Sequence, residues 1–237
     1  MSRSTTSKVS VWEPAELHTG DRMSRDEFHR IYEQTPEDFK AELIGGIVYV
    51  ASPLRRSHGT HHAFWITLFG TYAGRTPGVE VSDNTTLLLG EDSEPQPDLY
   101  LRILPEYGGQ SSTDKQDYVV GAPELVAEVA HSSRAIDLHA KRDDYARYGV
   151  REYLVLSLRD RRLHWIDLIQ GIEREPDRDG IVRVQTFPGL WINRDALLAQ
   201  DYGRLMESLE QGLATPEHAA FAASLAQART SRGEIGS

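Results

Sequence analysis

The segment Leu125-Val126-Ala127-Glu128-Val129-Ala130 constrains the fold of this chain more than any other. It is a nearly continuous apolar run of strand length. Such runs are typical of a strand covered on both faces, as in a sheet with helices on either side. The run also contains one carboxylate. An isolated carboxylate in that setting is costly unless it is protonated, paired or bound to a cation. Glu128 is therefore both a core position and a candidate site residue.

The rest of the chain supplies the layers such a strand needs. Ser24 with Glu27 three residues later matches a capping box, and Phe28, Ile31 and Tyr32 follow at helical spacing, so a short helix is expected from Ser24 to Gln34. Gly45-Gly46 between two apolar runs predicts a tight hairpin within Phe39 to Ala51. Arg56 to Tyr72 reads as a helix with Ala63, Ile66, Phe69 and Tyr72 on its packed face, ended by Gly74 and Pro77-Gly78. Short strands are expected at Val79–Val81 and Thr85–Leu89, then an acidic, proline-bearing loop. From Asp98 to Ile103 the residues alternate, with Leu99, Leu101 and Ile103 on one face and Asp98, Tyr100 and Arg102 on the other. Pro105 to Gly121 reads as a polar loop. A helix over Ser133–Tyr148 is stopped by Gly149, and strands follow at Glu152–Leu158, Arg162–Leu168 and Ile181–Thr186. A short helix starts at Asp195. Two weakly amphipathic helical stretches after Tyr202 end in a polar tail from Ser231. This order predicts α/β or α+β, with one mixed sheet. The organisation read from it is a tail over 1–20, one domain over 21–201 and a helical extension over 202–237.

Composition removes several functions. Cysteine is absent, so disulfides, thiol nucleophiles and thiolate metal sites are excluded. Any metal must be held by carboxylate, imidazole, carbonyl or water. Lys and Arg number 26 against 36 Asp and Glu, a net charge of −10. A sequence-indifferent nucleic-acid coat would be basic, although a local basic groove remains compatible with this total. No apolar run reaches the ~18 residues of a membrane helix, and Met1 to Ser10 has no apolar signal core. A cytoplasmic protein with no membrane partner is expected. The GxGxxG, GKS/T, GxSxG and HExxH patterns are all missing.

Three residues stand out beside this background. Asp98 opens a strand directly after Pro95-Gln96-Pro97. If its strand neighbours that of Glu128, the two carboxylates converge. Such a pair suits a hard divalent cation such as Mg²⁺, which takes one or two carboxylates together with water and phosphate oxygens. Lys141 shares a helical face with Asp137 and Tyr145, and a lysine beside a phosphate or the attacking water offsets developing charge. Glu42, just before the Gly-Gly turn, is a candidate third acidic ligand. Each has a plainer reading: a core ion pair for Glu128, a turn residue for Asp98, a solvated i,i+4 pair for Asp137 and Lys141, an exposed strand residue for Glu42. His58, His61 and His62 lie near Arg55 and Arg56. They read first as ordinary side chains at a polar helix start, and second as a positive wall for phosphates. Arg159, Arg161, Arg162 and His164 read as a hairpin turn with a solvated face.

Taken in order, the segments Glu42-Leu43-Ile44-Gly45-Gly46, Gln96-Pro97-Asp98-Leu99, Ala122 to Val129, Asp137 to Lys141 and Tyr148 to Tyr153 resemble the Uma-two family of bacterial endonucleases, within the PD-(D/E)XK restriction-endonuclease-like superfamily. The resemblance runs from about Ser24 to Asp201. It implies a restriction-endonuclease-like mixed central sheet flanked by helices, with an N-terminal helix and β-hairpin and a metal site at the opened end of the sheet. Asp98 matches the Pro-Asp acid, Glu128 the second acid and Glu42 an acid often found ahead of them. The superfamily's lysine often stands two residues after the second acid. Here that position is Ala130, and Lys141 resembles a replacement arriving from the next helix. Gly45 and Ile47 stand where many members carry acids, and His131-Ser132 where many carry Ser-Pro.

The leading expectation is a Mg²⁺- or Mn²⁺-dependent endonuclease hydrolysing phosphodiester bonds, with DNA as substrate. Asp98, Glu128 and Glu42 would hold the metal and Lys141 would complete the catalytic set. The resemblance also implies a homodimer that pairs two sites. The rival is a catalytically degenerate binding or regulatory module on the same fold. A weaker third reading is a two-carboxylate glycosidase, which leaves the lysine helix unexplained.

Overall fold

The protein is described from a computed structural model covering residues 16–131 and 135–235. Most of the expected tail, the start of the helix expected from Ser133 and the last two residues lie outside them. Helix α1 (Arg25–Tyr32) begins where expected, with Ser24 Oγ accepting the Glu27 N–H at 3.3 Å. Phe28 and Ile31 pack on Leu43 and Val48 of the hairpin β1 (Ala41–Ile44) and β2 (Ile47–Val50). Gly45 and Gly46 turn the hairpin at φ +55° and +76°, a backbone that other residues rarely adopt. The last residues of the expected tail join this unit. Leu17 is buried and the Gly20 N–H donates to the Val48 carbonyl.

Helix α2 (Arg56–Arg75) packs by a face rotated from the expected one. Trp65, Leu68, Phe69 and Tyr72 are fully buried, whereas Ala63 is exposed and Ile66 is 38% exposed. Turning Trp65 inward removes more apolar surface from water than turning Ala63 and Ile66 would. The helix passes Gly74 and stops at Thr76, ahead of Pro77.

After α2 the chain forms β3 (Val79–Asp83), β4 (Leu87–Leu88) and β5 (Leu99–Ile103). The expected loop 105–121 contains a 3₁₀ turn and two short strands, β6 (Ser112–Thr113) and β7 (Val119–Val120), which join β4 in a small sheet. Next comes β8 (Leu125–Ala130). The crossover that follows begins with a π-helical turn over Ile136–Lys141 rather than an unbroken α-helix, and continues as α3 (Arg142–Tyr148), closed by Gly149 at φ +94°. Strands β9 (Glu152–Ser157), β10 (Arg162–Asp167) and β11 (Ile172–Arg174) complete a six-stranded sheet in the order β11-β10-β9-β8-β5-β3. Within this sheet, among the described residues, β8 and β9 pair in parallel and the other neighbours antiparallel, so the sheet is mixed. A further hairpin, β12 (Ile181–Arg183) with β13 (Trp191–Asn193), leads to α4 (Arg194–Ala199), α5 (Tyr202–Leu213) and α6 (Pro216–Ile235). The polar tail expected from Ser231 is helical through Ile235.

Every residue of β8 is buried. Leu125, Ala127 and Val129 enter the core beneath α2, α4 and α5. Val126 and Ala130 enter the opposite core with Tyr145, Val150 and Tyr153. Glu128 has the parity of this second face, so it points toward the crossover that carries Lys141 and Tyr145. Helix α5 is more strongly amphipathic than expected, and its Leu205 and Leu209 are fully buried in the main core. Among the described residues no helix is long and apolar enough to cross a membrane.

Candidate active site

Antiparallel pairing sets Leu99 of β5 opposite Ala127 of β8. One residue earlier, Asp98 therefore comes opposite Glu128. The Asp98 N–H donates to Glu128 Oε2 at 3.3 Å, and Asp98 Oδ2 accepts the Val129 N–H at 2.7 Å. The conditional expectation that the two strands are neighbours is met. Lys141 Nζ arrives from the π-helical turn and donates to Glu128 Oε1 at 2.8 Å, where the Tyr145 hydroxyl also donates at 3.2 Å. The same ammonium lies 2.8 Å from Glu42 Oε1 and 3.9 Å from Asp137. Glu42 Oε1 also accepts the Gln96 N–H at 2.7 Å, which ties the hairpin to the Pro-Asp segment. Wide turns of this kind are rare and recur at functional sites. Here the turn delivers a lysine that is only 4% exposed.

The structure thus brings together Glu42, Asp98, Glu128 and Lys141, all of which line one cavity of about 310 Å³. Asp137, read on its own as part of a solvated pair, is buried there at 2% exposure. The expectation for His58 is an ordinary side chain at a polar helix start. Instead it is buried, with Nε2 3.1 Å from Asp98 Oδ2. His62 Nε2 lies 3.0 Å from the Asp98 carbonyl and 3.0 Å from Asp83. A signal for both was present: His58, His62, Trp65, Phe69 and Tyr72 follow one another at spacings of four and three, a single helical stripe turned toward the protein. Gln96 was missed as a site residue. Besides its backbone bond to Glu42, its side chain donates to Tyr32 and Thr86, and nothing in its local pattern announces that.

The electrostatics follow from burial and crowding. Burial pushes the Glu128 carboxyl well up, Lys141 opposes that, and the charges of Asp98, Asp137 and Glu42 add to it. Burial alone would push Lys141 down, but Glu128, Glu42 and Asp137 override it and hold the ammonium well above the ordinary lysine value. Glu128, buried beside Asp98, Asp137 and Glu42 with one ammonium in contact, carries the strain of this crowding. Asp98 behaves oppositely. Burial raises it, yet His58, the Val129 N–H and Lys141 together hold it below the usual carboxylate range.

The donor set fits a hard divalent cation. Its members are carboxylate oxygens, and Asp98 Oδ1 and Glu42 Oε2 take no hydrogen bond among the described residues. Both residues line the cavity, and the charge that raises Glu128 is the kind a cation relieves. Among the described residues no three His, Asp or Glu side chains are already spaced around an ion position. Their inward lone pairs face Lys141, Tyr145 and backbone N–H groups instead.

Comparison with known proteins gives two findings. The family model Uma2, described as “Putative restriction endonuclease”, matches residues 25–196. A solved structure from Anabaena variabilis ATCC 29413, described as “a putative nuclease belonging to DUF820”, has a similar fold, with a TM-score of 0.56 at 12% identity. The similarity covers 75% of this chain and 98% of that one. No curated protein matches.

Proposed function

The chain belongs to the Uma2 family, and from that membership and the acid cluster we propose a divalent-cation-dependent endonuclease that hydrolyses phosphodiester bonds of DNA. The family and the structural neighbour support a nuclease-like hydrolase. The observation that carries the finer reading is the meeting of Asp98 and Glu128 across paired strands, with Lys141 reaching both Glu128 and Glu42 at 2.8 Å. Asp98, Glu128 and Glu42 would hold Mg²⁺ or Mn²⁺. When bound, such a cation polarises a phosphate oxygen and lowers the pKa of an attached water. The chain's own groups do the positioning. The Val129 N–H and His58 fix the Asp98 carboxylate, Tyr145 fixes Glu128, and the Lys141 ammonium offsets charge that builds on the phosphate. The finer reading includes action in the cytoplasm and a homodimer that presents one site to each strand.

Calorimetric titration of Mg²⁺ or Mn²⁺ tests the site. The wild type should bind and Glu128→Gln should not. Cleavage of DNA should require the metal and vanish in Asp98→Ala while thermal unfolding stays cooperative. Cutting that survives Asp98→Ala overturns the assignment. DNA binding without any metal-dependent product selects the degenerate binding module.

A further inference from the structure

A second cavity, of about 590 Å³, adjoins the acid cluster. Arg55, at the start of α2, and His131, three residues after Glu128, line both cavities. The new one adds His61 from α2 and Arg159 and Arg161 from the β9–β10 turn. Among the described residues no carboxylate lines it. Arg55, Arg159 and Arg161 are exposed and make no side-chain hydrogen bond or ion pair among the described residues. Asp160, in the same turn, has a carboxylate oxygen 3.1 Å from Ser157 Oγ. On a chain of net charge −10, this is a positive wall whose three arginines have no side-chain partner among the described residues.

We infer that this cavity is a backbone subsite for nucleic acid, holding a phosphate next to the one at the acid cluster. The inference rests on the nuclease reading and names where its substrate is gripped. Guanidinium groups match phosphate oxygens in charge and in fork geometry. An acidic protein repels a polyanion over most of its surface, so a strand is retained only where positive charge is concentrated. The shared residues Arg55 and His131 make the two cavities one track. Contacts of this kind set register and affinity and carry no base specificity.

The test is binding of a labelled DNA duplex in chelator, so that no cutting occurs, for the wild type and for Arg159→Gln combined with Arg161→Asn. Asparagine is chosen because Arg161 sits at φ +50°, which asparagine tolerates. Both positions are exposed, and unchanged urea unfolding confirms the fold. Two lost phosphate contacts should make the plot of log affinity against log salt shallower by about 1.8. The wild-type advantage then shrinks about tenfold between about 50 and 200 mM salt. An unchanged slope overturns the subsite, and metal-dependent cutting by the wild type would show that the nuclease reading survives it. Inorganic phosphate alone should leave the melting temperature unmoved. A phosphate-induced shift that disappears in the double variant, together with an unchanged salt slope for DNA, assigns the cavity to small anions and overturns the proposal. A wild type that neither binds nor cuts nucleic acid removes the nuclease reading and the subsite together.

Discussion

Lys141 places an ammonium in the interior at 4% exposure, which is tolerable only because Glu128 and Glu42 each meet it at 2.8 Å. Removing one partner of such a buried set costs more than the set contributes, since the charges left behind stay desolvated. Lys141→Met should therefore destabilise the protein by about 3–5 kcal/mol, a loss of roughly 6–20 °C for a chain of this size. Tyr145→Phe removes one hydrogen bond to the same carboxylate and should cost about 1–3 kcal/mol. Urea unfolding of both variants checks the order. Equal costs would mean that Lys141 is not the group neutralising the cluster. Glu128 was legible in the sequence because a charge inside a strand-length apolar run has few physical explanations. Glu42 was harder. Its strand is four residues long, and its role depends on Gln96 and Lys141, 54 and 99 positions away. His58 was legible in principle, as the continuation of the Trp65, Phe69 and Tyr72 stripe, but a histidine at a polar helix start looks solvated until the stripe is drawn through it.

Helix α5 shows what the elements contribute beyond the sheet. Gly212 lies in its last turn, against the loop that leads into β13. A Cβ there would come 2.2 Å from the Gly189 carbonyl oxygen and 2.7 Å from the Trp191 ring. Gly212→Ala must push α5 away from β13, and overpacking of this kind costs about 1–3 kcal/mol. Leu209→Ala on the same helix should cost about 2–5 kcal/mol by leaving a cavity in the main core. A thermal melt in which both variants match the wild type would mean that α5 is dispensable to the domain. Leu205, Leu209 and Leu213 form a stripe at i, i+4 and i+8 that the sequence does carry. The strength of the packing was not legible, because it depends on Gly189 and Trp191 of the preceding hairpin meeting Gly212. Elements with local punctuation were read correctly: the Ser24 cap, the Gly45-Gly46 turn and the Gly149 stop. Elements of two or three residues, such as β6, β7, β11 and β13, are too short to establish a period of two. They exist because neighbouring strands offer them partners. The π-helical turn was invisible for a related reason. Its residues favour a helix, and nothing in their local pattern separates a wide turn from an α-helical one.

At the scale of the whole molecule, two sets of carboxyl groups predict how stability varies with pH. Burial pushes Glu94, Glu124 and Asp144 up, with His29, backbone N–H groups and Ser93 opposing it. Asp92 is held down chiefly by the Tyr148 hydroxyl. Asp167 and Asp177 are held down by backbone N–H groups and by Arg174 and Arg183, against burial, and Asp195 by Arg194. For the raised group the folded value lies above the unfolded one. The folded state binds more protons in that interval, so stability falls as pH rises through it. For the lowered group the sign reverses, and stability is lost as pH falls from the unfolded value through the folded one. The two intervals meet near the ordinary carboxyl value of about 4. The net charge of −10 at neutral pH acts in the same direction as the raised group, since its self-repulsion relaxes toward the isoelectric point of about 5.4. Lys141 shapes the alkaline side. Its folded value is raised, so its contribution persists at neutral pH and is lost only above the ordinary lysine value of about 10.4. The urea midpoint should therefore be higher at about pH 5 than at about pH 7.5, and should drop steeply below about pH 4. A midpoint that climbs steadily from pH 5 to pH 8 would mean that the buried acids are relieved by partners in the folded chain.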